Sequence, residues 1–161
     1  MQGNDVCGAA PTGSGKTLAF GIPLVAMTRK GSPRRPTSLV LSPTRELADQ
    51  IASEMQPLSN RTSITTVYGG VAYGKQVNAL KHGTDILVAC PGRLEDLMES
   101  GNVALDDIER VVIDEADRMA DMGFLPAVRR ILDATTSRTQ TILFSATLDG
   151  DVAHLVKHYQ N

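Results

Sequence analysis

The sequence predicts a doubly wound α/β fold, a mostly parallel sheet with helices on both faces. Two observations carry this. Short β-rich apolar runs alternate along the chain with amphipathic stretches of helical period, the rhythm of repeated strand–helix–strand units. Several runs are apolar at consecutive positions, as in Leu39-Val40-Leu41 and Val111-Val112-Ile113. Such runs suit parallel strands covered on both faces better than strands with one wet face.

In chain order, strands are expected at Val6–Ala10, Ser38–Ser42, Ile64–Tyr68, Asp85–Ala89, Arg110–Asp114 and Thr139–Ser145. The first expected helix, Lys16–Thr28, follows a Gly-rich turn. Arg45–Leu58 places Leu47, Ile51, Met55 and Leu58 at helical spacing. Gly74–Leu80, Arg93–Met98, Leu125–Ala134 and Asp149–Tyr159 complete the helices, the last with Asp149 as its N-cap. Gly31-Ser32-Pro33-Arg34-Arg35-Pro36 reads as a surface loop, with Lys30, Arg34 and Arg35 as solvated charges.

At 161 residues the chain is the size of one domain, and residues 1–161 are expected to form a single one. Its 42% hydrophobic and 21% charged residues match an ordinary globular protein that needs no disulfide or metal staple. No apolar run approaches the ~18 residues of a membrane span. The start, Met1-Gln2-Gly3-Asn4-Asp5, lacks the basic and apolar parts of a secretion signal. A cytoplasmic protein with no membrane contact is expected, with Cys7 and Cys90 as reduced thiols and Cys7 as a small buried hydrophobe. The formal net charge of −2 argues against a broad cationic surface, so any nucleic-acid contact must rest on a few well-placed groups. His154 and His158 are four apart on the last helix, but no third metal ligand is evident.

Ala10-Pro11-Thr12-Gly13-Ser14-Gly15-Lys16-Thr17 lies between an expected strand and an expected helix, the context of a phosphate-binding P-loop. Glycines there let successive N–H groups point at phosphate oxygens, aided by the positive end of the following helix. Lys16 would reach the β- and γ-phosphates of ATP, and the Thr17 hydroxyl would ligate Mg²⁺. Ala10, Thr12, Gly13, Ser14 and Gly15 complete the expected ATP contacts.

Asp114-Glu115-Ala116-Asp117 directly follows the apolar run at 110–113. In open α/β sheets ligands bind beyond the carboxyl ends of strands, where this run delivers its acids. A P-loop enzyme needs one carboxylate for Mg²⁺ and another group to orient or deprotonate water. Asp114 suits the first task and Glu115 the second.

These two motifs belong to an ordered series with Pro43-Thr44-Arg45-Glu46-Leu47, Gly69-Gly70, Pro91-Gly92-Arg93 and Ser145-Ala146-Thr147. Over essentially its whole length the chain resembles the N-terminal RecA-like domain of DEAD-box RNA helicases. In that family the first P-loop position is normally Ala, as Ala10 is here. Asp117, rather than His, is similar to the DEAD-box group and not to its DEAH relatives. The resemblance implies an ATP-dependent RNA helicase. Its RNA face would be lined by Pro43, Thr44, Arg45, Gly69, Gly70, Pro91, Gly92 and Arg93. Asp117, Ser145 and Thr147 would couple ATP state to strand separation through hydroxyl contacts to Asp117. Contacts of this kind go mainly to phosphate and sugar, so RNA recognition is expected to be largely independent of sequence. Cys90 stands where the family pattern has Thr.

The resemblance also implies partners beyond these residues. An upstream segment carries a Gln that reads adenine, and Gln2 is too close to the P-loop to be that Gln. A second RecA-like domain supplies arginine fingers. The chain is therefore expected to be a fragment that binds nucleotide weakly and hydrolyses it very slowly alone. Two other readings compete: a P-loop ATPase or translocase acting on DNA, and a nucleotide-binding scaffold module without catalysis.

Overall fold

The computed structural model describes residues 4–9 and 15–160. Among them six strands form one sheet: β1 (Val6–Ala9), β2 (Ser38–Leu41), β3 (Ile64–Val67), β4 (Ile86–Ala89), β5 (Arg110–Ile113) and β6 (Gln140–Ser145). Their spatial order is β1-β6-β5-β2-β4-β3, and every neighbouring pair is parallel. Seven α-helices accompany them: α1 (Lys16–Met27), α2 (Arg45–Met55), α3 (Tyr73–His82), α4 (Pro91–Glu99), α5 (Ala116–Asp121), α6 (Leu125–Ala134) and α7 (Gly150–Tyr159). The doubly wound α/β fold is the one the sequence predicts, and its sheet is parallel throughout.

The direction of travel across the sheet decides which face each helix covers. From β1 to β2 to β3 the chain moves one way along the strand order, and α1 and α2 lie on one face. From β3 through β4 and β5 to β6 it moves back, and α3 to α6 lie on the other face with α7. Right-handed crossovers require this exchange of faces when direction reverses. Strand side chains divide accordingly. Val40, Val88, Val112 and Ile142 pack against Phe20, Leu24, Ile51 and Met55. Leu39, Leu41, Leu87, Val111, Ile113 and Leu143 pack against α3 to α7. Burial of each such side chain contributes about 1.5–3 kcal/mol, so the consecutive apolar runs follow from a sheet with two dry faces.

Differences from the expected elements have local causes. The helix starting at Arg45 leaves α geometry after Met55 and closes with a 3₁₀ turn at Gln56–Leu58. Pro57 lacks the N–H for an α-type bond and crowds the carbonyl four residues back. Helix α4 begins at Pro91, since proline is tolerated in the first turn. Helix α5, six residues long, is too short to show a period and was not anticipated. Asp149 does occupy the N-cap of α7, but its side chain makes no capping bond. Cys7 corrects an expectation: it is exposed, because β1 is an edge strand whose side chains are largely uncovered by the described residues.

At the amino end of the sheet, Asp85 ties three segments together. Its Oδ1 accepts from the Gly31 N–H at 2.7 Å, and its Oδ2 from the Ser63 N–H at 2.9 Å and Lys30 Nζ at 3.1 Å. Lys30 and Arg35 are therefore not simply solvated: Arg35 pairs with Asp107 at 3.0 Å and Asp106 at 3.6 Å. Burial alone would raise the Asp85 pKa, but the two N–H groups and Lys30 more than offset it and hold the carboxyl below its ordinary value. A depressed folded pKa gives stability that is present above the unfolded value and lost as pH falls through the folded one. Asp85→Ala is expected to cost about 2–3 kcal/mol at neutral pH, the scale of hydrogen bonds to a charged group. Thermal unfolding of both proteins should show that gap narrowing below about pH 4.

Candidate functional site

A parallel sheet collects every strand-to-helix loop on its carboxyl edge. The neighbouring strands β1, β6 and β5 deliver Gly15–Thr17, Ser145 and Asp114–Glu115 there. Gly15 is the N-cap of α1 with φ 69°, the left-handed region in which glycine avoids the Cβ penalty. Lys16 and Thr17 fill the first turn of α1, and both are buried. Asp114 continues the alternation that turns Val112 towards α1 and α2, and so meets the lysine. Lys16 Nζ lies 2.6 Å from Asp114 Oδ1, with side chains 7% and 4% exposed. It is a close ion pair rather than a well-directed hydrogen bond. Removing one member of such a buried pair leaves an uncompensated charge, at a cost of about 3–5 kcal/mol.

Burial pushes the Asp114 pKa up, and the Glu115 charge adds to this, while Lys16 pulls it down; the net direction is upward. Glu115 is itself buried and sits at φ 55°, ψ 54°. A left-handed backbone costs a non-glycine residue roughly 1–2 kcal/mol. Apart from Arg34, Glu115 is the only described non-glycine residue held that way. The turn thus lets the chain leave β5, present two adjacent carboxylates and enter α5 at once.

Across the cleft from Lys16, Asp114 and Glu115 stands α2, contributing Leu47, Gln50, Ile51 and Glu54. Gln50 and Glu54 were not anticipated. Their four-residue spacing beside the apolar stripe of Leu47 and Ile51 is the only sequence signal for them. Ala10, Thr12, Gly13 and Ser14 lie outside the described residues. At the end of β6, Ser145 Oγ accepts from the Asp117 backbone N–H at 3.1 Å. Thr147 is exposed and not joined to Asp117 by a hydrogen bond.

The other half of the edge, over β2, β4 and β3, brings together the remaining predicted residues. Thr44 caps α2 by accepting from the Leu47 N–H at 3.2 Å, which places Arg45 in the first turn. Pro43 and Pro91 are buried, whereas Gly69, Gly70 and Gly92 are exposed. Gly70 has φ 83°, a backbone conformation that favours glycine, and the Arg45 Nη1 end lies in ordinary contact range of where a Cβ would stand, at 3.4 Å. The Arg45 guanidinium lies 5.4 Å from the centre of the Tyr68 ring, whose hydroxyl donates to Asp49 Oδ1 at 2.6 Å. Arg93 lies 5.3 Å from the Tyr73 ring and donates to Gln76 Oε1 at 3.0 Å. Gln76, Tyr68 and Tyr73 were not anticipated. Gln76 is buried on α3 amid polar neighbours, and a lone glutamine gives no sequence signal of that.

Comparison with known proteins agrees with this fold. A family described as DEAD/DEAH box helicase matches residues 1–155. DEAD-box ATP-dependent RNA helicase 5 of Oryza sativa subsp. japonica is 47% identical over 172 residues, covering 100% of this chain and 33% of that protein. The chloroplastic DEAD-box ATP-dependent RNA helicase 3B of Zea mays is 42% identical over 170 residues, covering 100% and 23%. Among solved structures, a hypothetical ATP-dependent RNA helicase from Sulfolobus tokodaii superposes with TM-score 0.90 at 42% identity, covering 98% of this chain and 46% of that one. A DEAD box protein from Methanococcus jannaschii gives TM-score 0.89 at 37% identity, covering 98% and 43%. Fold and site define a RecA-like α/β domain. The chain belongs to the DEAD/DEAH box helicase family.

The chain spans about a third or less of the length of these curated relatives. Some relatives are named as chloroplastic or mitochondrial, so a cytoplasmic location is not common to the group. No helix among the described residues is long and apolar enough to cross a membrane.

Cys90 shows what its departure from Thr costs. It occupies the N-cap of α4 with extended backbone, yet makes no side-chain capping bond, unlike Thr44 on α2. Burial, reinforced by Glu46 and Asp49, pushes its thiol up to about 11, so it is protonated at neutral pH. Cys90→Thr should add the missing cap and stabilise the domain by about 0.5–1 kcal/mol. Thermal unfolding should then shift upward by about 1–4 °C.

Proposed function

We propose that this domain binds Mg²⁺-ATP at the Lys16–Asp114 cleft. In the complete protein, hydrolysis there accompanies RNA binding and local duplex unwinding. The observation that carries the reading is the buried 2.6 Å pair of Lys16 and Asp114 with Glu115 beside it, at the amino end of α1. That helix end offers N–H groups and a positive dipole to phosphate.

Each side chain then has a chemical task. Lys16 donates charge-assisted hydrogen bonds to phosphate oxygens. Ala10, Thr12, Gly13, Ser14 and Gly15 would complete the phosphate contacts. Glu115 accepts a proton from the attacking water, and its fixed left-handed turn holds the carboxylate in the cleft. The Thr17 hydroxyl and Asp114 carboxylate are hard oxygen donors, the set that suits Mg²⁺ directly or through its waters. When bound, that ion would neutralise developing charge on the phosphates. Asp117 and Ser145, already hydrogen-bonded, would pass the nucleotide state between the acidic motif and the end of β6, with Thr147 joining on rearrangement.

The RNA face is the β2–β4–β3 half of the edge. Exposed backbone at Gly69, Gly70 and Gly92, with Thr44, Arg45 and Arg93 beside Pro43 and Pro91, supplies partners for phosphate and sugar. A second RecA-like domain closing over both ligands would add the arginine whose charge is worth roughly 10³–10⁵ in rate. ATP drives that closure only to the extent that it binds the closed form better. The 161-residue chain alone would therefore hydrolyse ATP slowly.

Phosphate release by the full-length protein, with RNA or DNA added, tests this reading. Glu115→Gln should keep ATP affinity and lower turnover at least about 100-fold, the scale of general-base catalysis. RNA should stimulate the wild type more than DNA of equal length. Full turnover in the variant would remove Glu115 as base, and equal stimulation by DNA would favour a DNA translocase.

A further inference from the structure

The inference concerns Gln76 on α3 and rests on the RNA-face reading above. Its residue is 6% exposed, and both ends of its amide are used. Nε2 donates to the Tyr68 carbonyl at 2.9 Å, and Oε1 accepts from Arg93 Nη1 at 3.0 Å. Tyr68 immediately precedes the Gly69-Gly70 turn, and Arg93 stands in the first turn of α4. One side chain therefore joins the loop after β3 to the loop after β4. The amide fits in one orientation only, because reversing it would set oxygen against carbonyl and NH₂ against guanidinium.

The chemistry of the residue matters as much as its place. Among the described residues Arg93 has no carboxylate within ion-pair distance. Its other neighbours are the Tyr73 ring and, at 3.4 Å, the Val71 carbonyl. A neutral acceptor at position 76 holds the guanidinium in place without cancelling its charge. Glutamate would hold it and neutralise it. The same Tyr68 whose carbonyl Gln76 grips also carries Arg45 over its ring. Arg45 and Arg93 are thus set on one framework, in which Tyr68 and Gln76 are consecutive links.

We infer that Gln76 is a positioning residue for RNA: it fixes the Gly69-Gly70 turn and presents Arg93 as an uncancelled cation for the phosphodiester backbone. The test measures binding of a labelled single-stranded oligouridylate to the full-length protein with a non-hydrolysable ATP analogue, for the wild type, Gln76→Leu, Gln76→Glu, Arg93→Ala and the Gln76→Leu/Arg93→Ala double variant. Gln76→Leu should weaken RNA about three- to tenfold, the worth of about one hydrogen bond, and leave nucleotide affinity unchanged. The double variant should lose less than the sum of the two single losses, since part of what Gln76 does passes through Arg93 and the rest through the Tyr68 carbonyl. Gln76→Glu keeps the volume of the side chain, so it tests the idea even if the leucine variant folds poorly. It should weaken RNA and lower the slope of log affinity against log salt by about 0.7, one single-strand phosphate contact.

Normal RNA binding by Gln76→Leu or Gln76→Glu, alongside an impaired Arg93→Ala, would overturn the inference while sparing the RNA face. Strictly additive losses in the double variant would do the same. Normal binding by Arg93→Ala would overturn the RNA-face reading, and this inference with it.

Discussion

Uniform parallel pairing of six strands is the constraint from which the rest of the structure follows. Parallel strands need a crossover after each one, and right-handed crossovers place helices on both faces. The inner strands are accordingly apolar on both sides over Leu39–Leu41, Ile86–Ala89 and Val111–Ile113, which leaves no polar side chain there for chemistry. The loops at the carboxyl ends escape this requirement while remaining anchored to rigid strands. Lys16, Thr44, Gly70, Arg93, Glu115 and Ser145 come from points spread across the sequence. They share one edge because their strands point the same way.

Strand order then divides that edge in two. The ends of β1, β6 and β5 bring a buried lysine and two buried carboxylates to one cleft. The ends of β2, β4 and β3 carry exposed glycine backbone and two arginines resting on aromatic rings. These environments make opposite electrostatic demands. In the cleft the Lys16–Asp114 pair must be mutual, since neither charge is well solvated. On the other half, Arg45 and Arg93 stay accessible and are oriented by π faces and neutral acceptors, which keeps their charge available to an anion. Strand β5 borders β2, so the two halves share a wall, and α2 lines both through Ile51 and Arg45.

Much of this was legible in the sequence because the physics involved is local or periodic. Leu39-Val40-Leu41 and Val111-Val112-Ile113 announce doubly covered strands, and they are the central β2 and β5. Pro43-Thr44-Arg45 announces a capped helix start, and Thr44 is that cap. The Gly-Lys-Thr order and the paired acids single out Lys16, Asp114 and Glu115, and the fold brings these to one cleft. What escaped depends on who sits beside whom across the fold. Cys7 reads as a core residue until β1 proves to be an edge. Gln76 carries no signal in the sequence, and its place is set only when Tyr68 and Arg93 fold onto either side of it. Gln50 and Glu54 become part of the cleft only because α2 packs against α1. The left-handed turn at Glu115 is likewise invisible in the residue type, since glutamate carries no preference for it.

The central claim is that phosphate and metal meet at Lys16 and Asp114. Its most direct test is titration of this chain with a fluorescent ATP analogue, with and without Mg²⁺, for the wild type, Lys16→Met and Asp114→Asn. The assignment predicts that Mg²⁺ tightens binding to the wild type, that Asp114→Asn retains binding but loses the Mg²⁺ effect, and that Lys16→Met binds poorly in either condition. Wild-type affinity in Lys16→Met, or an undiminished Mg²⁺ effect in Asp114→Asn, would contradict it.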